Sequence, residues 1–234
     1  MTNLKNRVHS NLGEIQEKIS SAKARSGNNQ HITLVAVTKT HSIKVVETAI
    51  SLGLKNIGEN RVQEADEKFS NVVFNQGVVK RMIGHLQTNK AKKAVQIFDT
   101  IDGVDSLKLA KKINTLTKDL VEKFEILLEI NTSSEEQKFG FKPICSDELL
   151  ECIELEGLLV KGLMTIGPLT NEKNLIRGAF TKLRDLKDEI NNQVSPSKKL
   201  SVLSMGMTGD YEIAIEEGSN MIRIGTALFG RRRF

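Results

Sequence analysis

A single (β/α)8 barrel with an extra N-terminal helix is the fold that the sequence predicts for residues 1–234. Three observations predict it. Eight short apolar runs punctuate the chain, helical patterns separate them, and no linker or low-complexity segment divides the 234 residues, which hold only three prolines. Strands that alternate with helices imply a parallel sheet covered by helices, and eight such units close into a barrel. A doubly wound open sheet is the competing arrangement.

The elements follow in order. Leu4, Val8, Leu12, Ile15 and Ile19 recur at three- and four-residue steps, which makes the first segment an amphipathic helix that Gly27 ends. The apolar runs at 32–37, 56–58, 82–86, 97–101, 124–130, 158–166, 200–205 and 221–225 read as strands. They are short and rich in β-branched residues, the pattern of strands buried on both faces. Helices are expected over 43–52, from about residue 60, and over 106–116, 146–154, 175–190 and 210–217. In the long one, Leu175, Ala179, Leu183, Leu186 and Ile190 form the apolar stripe.

Composition narrows the class. With 39% hydrophobic and 27% charged residues the chain is an ordinary globular protein. No apolar run approaches the roughly 18 residues that span a bilayer, and residues 1–27 are charged throughout rather than signal-like. A cytoplasmic protein with no membrane partner is expected. Net charge is +5, concentrated in Arg231, Arg232 and Arg233, but aromatics are only 4% and tryptophan is missing. The stacking surfaces of a nucleic-acid binder are scarce, so no nucleic-acid partner is expected. Cys145 and Cys152 lie seven apart on one helical stripe, too far for a disulfide, and read as buried thiols. No metal site is expected.

The residues that carry chemistry sit at strand ends. In "ITLVAVTKTHS" a buried strand finishes on Lys39. A lysine there is ordinarily a chain stop with its head in water, but in a barrel it stands at the C-terminal rim, where active sites form. The segments after the seventh and eighth strands, "VLSMGMTGD" and "MIRIGTALFG", combine small hydroxyls with glycines. Glycine lets backbone N–H groups approach an anion, and these two loops commonly hold a phosphate in barrels. Arg223 interrupts an apolar strand and cannot shed its proton to ease burial, so it needs the rim or a specific acceptor.

The segments "AVTKTHS", "NIGENRVQEA", "GHLQTNK", "LLEIN", "GLMTI", "LSMGMTGDYEIAI" and "IRIGTALFG" resemble, in order, those of the pyridoxal-phosphate homeostasis proteins. The fold of that family is similar to the N-terminal barrel of alanine racemase and of bacterial-type ornithine decarboxylases. The resemblance implies that Lys39 carries pyridoxal 5'-phosphate as an internal aldimine. It implies also that Ser204, Gly225 and Thr226 hold the phosphate, that Arg223 faces the pyridine nitrogen, and that Asn60 ends the second strand near the cofactor. Thr208 stands where many relatives have serine, and Gly209 where many have a larger residue. Lys138, in "NTSSEEQKFGF", is either a solvated loop lysine or a second acceptor of the aldehyde.

Three functions follow as expectations. The first is a carrier or buffer of pyridoxal phosphate, monomeric and without a catalytic residue, that supplies apo-enzymes. An arginine at the ring nitrogen makes a poor electron sink, and the chain ends without the extra domain that gives racemases their tyrosine. Its single tyrosine, Tyr211, reads as a packing residue, and His85 has no role fixed by the resemblance. The second is a weak amino-acid racemase or decarboxylase. The third is a Schiff-base aldolase acting on sugar phosphates.

Overall fold

Short β-branched segments become strands because their side chains pack on a pleated surface, and the amphipathic segments between them cover those strands. The computed structural model describes residues 2–27, 29–74, 76–133, 135, 137–143 and 146–231. In chain order the elements are α1 (Thr2–Ser26), β1 (Thr33–Val37), α2 (Ile43–Ser51), β2 (Asn56–Glu59), α3 (Val62–Phe69), β3 (Val79–Met82), α4 (Ala91–Ile97) and β4 (Thr100–Val104). There follow α5 (Leu107–Thr117), β5 (Phe124–Glu129), α6 (Ser146–Glu154), β6 (Leu158–Met164), α7 (Lys173–Asn191), β7 (Val202–Ser204), α8 (Tyr211–Glu216), β8 (Met221–Ile224) and α9 (Thr226–Phe229). The strands pair in sequence order from β1 to β8 and close into a parallel barrel. The closing seam sets Val35 against Arg223 and Ala36 against Ile224. This is the expected (β/α)8 barrel preceded by a helix, and closure excludes the open sheet.

Period-two alternation sorts the side chains. Val35 and Val37 of β1 join Ile83, Leu127, Met164 and Met221 in one buried cluster, whereas Ala36 joins Val46, Ile57 and Ile224 in another. α1 buries Val8, Leu12 and Ile15 and packs on α8 and α9. Its Asn11 Nδ2 donates to Leu228 O at 2.9 Å, and Arg25 pairs with Glu212 and Glu216. Among the described residues no helix is long and apolar enough to cross a membrane.

Two strands lie elsewhere than the hydropathy implies. β3 is Val79–Met82 rather than 82–86, and β4 is Thr100–Val104 rather than 97–101, with Ile97 closing α4 instead. One ion pair explains both shifts. Arg81 Nη1 donates to Asp102 Oδ1 at 3.0 Å while Arg81 Nε donates to Asn56 Oδ1 at 2.8 Å, all within buried or partly buried surroundings. A strand whose inward residues are charged and paired does not look like a strand to a hydropathy reading. In α7 the stripe is Ile176, Ala179, Phe180, Leu183, Leu186 and Ile190; Leu175 is 56% exposed and not part of it. Cys152 is buried as expected, and burial pushes its thiol up to about 12. Cys145, Arg232 and Arg233 lie outside the described residues.

The tightest backbone approach is at Gly162 in β6, where an added Cβ would stand 2.0 Å from Val202 O. Gly162→Ala must push β7 away from β6, a cost of about 3 kcal/mol or more by comparison with ordinary overpacking. Urea unfolding should show a lower midpoint with the slope unchanged; an unaltered midpoint contradicts the register.

Candidate functional site

β1 stops at Val37, and two residues further Lys39 reaches the C-terminal rim of the barrel. A cleft of about 260 Å³ opens there, lined by Val37, Lys39, Ile83, Ile166, Met207, Thr208, Gly209, Arg223, Gly225 and Thr226. A larger cleft of about 760 Å³ lies beside it, between the start of α1 and Thr40–Ser42. The smaller one is where a strand-end amine, a guanidinium and two glycine-bearing loops converge.

The loop after β7 is shaped by Gly206, at φ +97°, a left-handed conformation that L side chains rarely adopt. A Cβ there would also stand 2.6 Å from the Ala214 Cβ. The tight path lets Gly206 O accept the Arg223 N–H at 3.0 Å and swings Thr208 over the cleft. Thr208 Oγ1 accepts the Ala227 N–H at 3.2 Å, which joins the loops after β7 and β8. The hydroxyl keeps its own proton to donate. Beside it, the space where a Gly209 Cβ would sit has no atom within 4 Å, so the backbone is open to an approaching group.

Arg223 is buried at the floor. Its Nη1 donates to Ser204 O and Ser204 Oγ, both at 2.8 Å, and Nη2 donates to Thr165 O at 2.8 Å. Burial lowers its pKa, and Glu129, Asp102 and Asp210 oppose that shift electrostatically. The predicted residues are therefore brought together unevenly. Lys39, Arg223, Gly225 and Thr226 line the cleft; Ser204 does not. Ser204 belongs to β7 and is fully buried, and its hydroxyl oxygen accepts from Arg223. Asn60 follows β2, off the lining but against Gly84, with its Oδ1 buried and without a hydrogen-bond partner among the described residues.

Around the rim, Lys138 Nζ donates to Glu135 Oε1 at 2.7 Å and to Gly167 O at 3.0 Å, so it is tethered rather than freely solvated. It lines a second cavity of about 170 Å³ together with Glu129 and Phe139. His85 Nδ1 lies 2.6 Å from Asp105 Oδ2, and its ring stacks on Phe139 at 3.7 Å. Tyr211 is packed in the cluster under α1, and burial raises its pKa. Glu129 escaped the reading of the sequence as a functional group. It is buried at the end of β5, and burial pushes its pKa up to about 7 against the pull of Arg223. An acid at the C-terminal end of a barrel strand, in "LLEIN", was the available signal.

Residues 10–233 match the family described as alanine racemase, N-terminal domain. A pyridoxal phosphate homeostasis protein of Aquifex aeolicus is 37% identical over 227 residues, covering 95% of this chain and 97% of its own. One from Synechocystis is 40% identical over 202 residues, covering 86% and 92%. This chain belongs to the pyridoxal phosphate homeostasis protein family. Among solved structures, PipY of Synechococcus elongatus with pyridoxal phosphate bound is 32% identical, has a TM-score of 0.79, and is covered over 91% of this chain and 100% of its own. Alanine racemase of Clostridium difficile, 18% identical with a TM-score of 0.78, matches 97% of this chain and 57% of its own, and shares the fold.

In this family member the Glu129 carboxyl makes stability depend on pH. Its folded pKa of about 7 lies above the ordinary 4.5, so its contribution is fully present below about pH 4.5 and is lost as pH rises through 7. At the upper limit the loss is about 3 kcal/mol. Glu129→Gln should therefore raise the melting temperature relative to the wild type at pH 8 but not at pH 4.5. Equal effects at both pH values contradict the shift.

Proposed function

We propose that this protein binds pyridoxal 5'-phosphate reversibly, as one cofactor-binding domain, and acts in its homeostasis as a carrier and buffer rather than as a catalyst. The observation that carries this reading is the convergence of Lys39, Arg223 and the two glycine-bearing loops on one cleft. The residues suit the group. An amine stands at the rim, a guanidinium at the floor, and the phosphate end offers a hydroxyl donor beside backbone left open at Gly209.

When bound, pyridoxal phosphate supplies an aldehyde that exchanges reversibly between amines and, with its ring nitrogen protonated, an electron sink. Lys39 offers the amine. Thr208 with the backbones of Gly209, Gly225 and Thr226 binds the phosphate, and Ser204 takes the different part of orienting Arg223 through the hydrogen bonds at 2.8 Å. Asn60 contributes its spare carbonyl oxygen near the cofactor. Arg223, assigned to the ring nitrogen, disfavours a proton there because two cations repel. Proton abstraction from an amino acid needs both the sink and a positioned base worth about 10²–10⁴-fold, and Tyr211 is packed away from the cleft. Holding and releasing the aldehyde needs neither. Lys138 is a candidate second acceptor, at the rim of the adjoining cavity.

Borohydride reduction of protein loaded with pyridoxal phosphate should fix the cofactor mass on the peptide containing Lys39, and Lys39→Ala should abolish it. Labelling elsewhere alone removes the assignment. The loaded protein should also activate a separate apo-enzyme; amino-acid turnover lost in Lys39→Ala, with no transfer, replaces the carrier by a weak racemase or decarboxylase. Arg223→Glu should shift the absorbance band and weaken binding, since a carboxylate favours the protonated ring. An unchanged spectrum and affinity place Arg223 away from the ring.

A further inference from the structure

Beside the cleft lies a buried charge cluster that the binding of a cofactor does not use. Lys68 of α3 is 7% exposed, and Glu59 at the end of β2 and Thr38 just after β1 are fully buried. Lys68 Nζ donates to Thr38 O at 2.8 Å, to Glu59 Oε1 at 2.9 Å and to Glu64 Oε1 at 2.6 Å. An ammonium has three N–H groups, and all three are spent here. Two further bonds complete the cluster: Thr38 Oγ1 donates to Glu59 Oε1 at 2.6 Å, and the Thr40 N–H donates to Glu64 Oε1.

The bonds have a particular geometry relative to Lys39. Thr38 O belongs to the peptide unit before Lys39, and the Thr40 N–H belongs to the unit after it. Each peptide unit is a rigid plane, and the two planes meet at the Lys39 Cα. Fixing both fixes the backbone dihedrals of Lys39 and hence the direction in which its side chain leaves. One ammonium reaches one plane directly and the other through Glu64, and it reinforces the turn that the His41 N–H closes on Thr38 O across Lys39.

Thr40 adds a second sign of constraint. Among the described residues it is the one non-glycine residue at positive φ, +62°. For a β-branched residue that conformation is a genuine outlier, and it persists only where the surroundings over-determine it. Two bonds hold it: the Thr40 N–H to Glu64, and the turn that the His41 N–H closes on Thr38 O at 3.0 Å. Burying ions is costly, and an apolar contact would attach α3 to the barrel as well. It would not grip two peptide planes.

We infer that Lys68 is a positioning residue for Lys39: with Glu59 and Glu64 it locks the peptide units on both sides of Lys39 and so sets where the Lys39 amine stands in the cleft. What that amine reacts with rests on the proposed function, but the locking does not.

The test uses Glu64→Ala, Glu64→Gln and Lys68→Met in the full chain. Two quantities are read: the acetylation rate of Lys39 relative to the other lysines, by mass spectrometry, and the affinities for pyridoxal 5'-phosphate and pyridoxine 5'-phosphate. The second ligand has the phosphate and ring but an alcohol in place of the aldehyde. In Glu64→Ala and Lys68→Met the relative acetylation of Lys39 should change. Pyridoxal phosphate should bind on the order of tenfold more weakly, as displaced reacting groups do, with pyridoxine phosphate unaffected. Glu64→Gln, whose side-chain carbonyl can still accept both bonds, should restore wild-type behaviour. If Lys68→Met does not fold, Glu64→Ala, at the partly exposed end of the cluster, carries the test. A folded Glu64→Ala with wild-type acetylation of Lys39 overturns the inference, and so does an equal loss of both ligands. Should the wild type bind no pyridoxal phosphate while Glu64→Ala still alters acetylation, the cofactor reading falls and the positioning stands.

Discussion

Parallel pairing of β1 with β8 aligns Val35 with Arg223 and Ala36 with Ile224, and this seam decides where chemistry can occur. Without closure, Lys39 would end one edge of a sheet and Arg223 would sit on the other. With it, the amine, the guanidinium and the Gly225–Thr226 backbone come to one cleft. The loop after β7 enters the same space because Gly206 permits its turn and because Thr208 is tied to Ala227. The cleft is thus a property of adjacent strand ends.

The barrel buries several charged side chains. Arg81 and Asp102 pair inside it, Arg223 and Glu129 stand toward its open end, and Lys68 with Glu59 lies beside the first two strands. The clusters are satisfied differently. Arg81 has a carboxylate in contact, and so has Lys68. Arg223 is held by two carbonyls and a hydroxyl instead, while the acids that affect it act at a distance. Neutral acceptors fix a guanidinium in place without themselves cancelling its charge, and that charge would favour an anionic ligand.

The division of labour suits reversible holding. In the proposed function, phosphate recognition by backbone and hydroxyl groups would give affinity that persists when a covalent bond to the lysine is broken, and the lysine would give a hold that another amine can relieve. Solved structures of alanine racemase share this barrel at 18% identity, and a common fold hosts many activities. What this chain does with the fold is therefore to be read from local features: the cation at the floor, the packed tyrosine, and the hydrogen bonds on both sides of Lys39.

The sequence by itself determined the strand and helix alternation, and with it the barrel, because period-two and period-3.6 patterns are local. It determined also that Lys39, Arg223 and the two glycine-bearing segments stand at strand ends, since that needs only counting along the chain. Where a strand was stabilised by a distant charge it was illegible: β3 and β4 slipped by several residues because Arg81 and Asp102 look like surface residues until they are seen to pair. Ser204 illustrates the same limit on a finer scale. Its place in a phosphate-like segment does not reveal that it is buried with its hydroxyl oxygen accepting from Arg223, or that Thr208, four residues on, lines the cleft. Glu129, Glu59 and Lys68 acquire their character from burial and from partners on other elements. Desolvation and hydrogen-bond partnership are properties of surroundings, and only the tertiary structure supplies those.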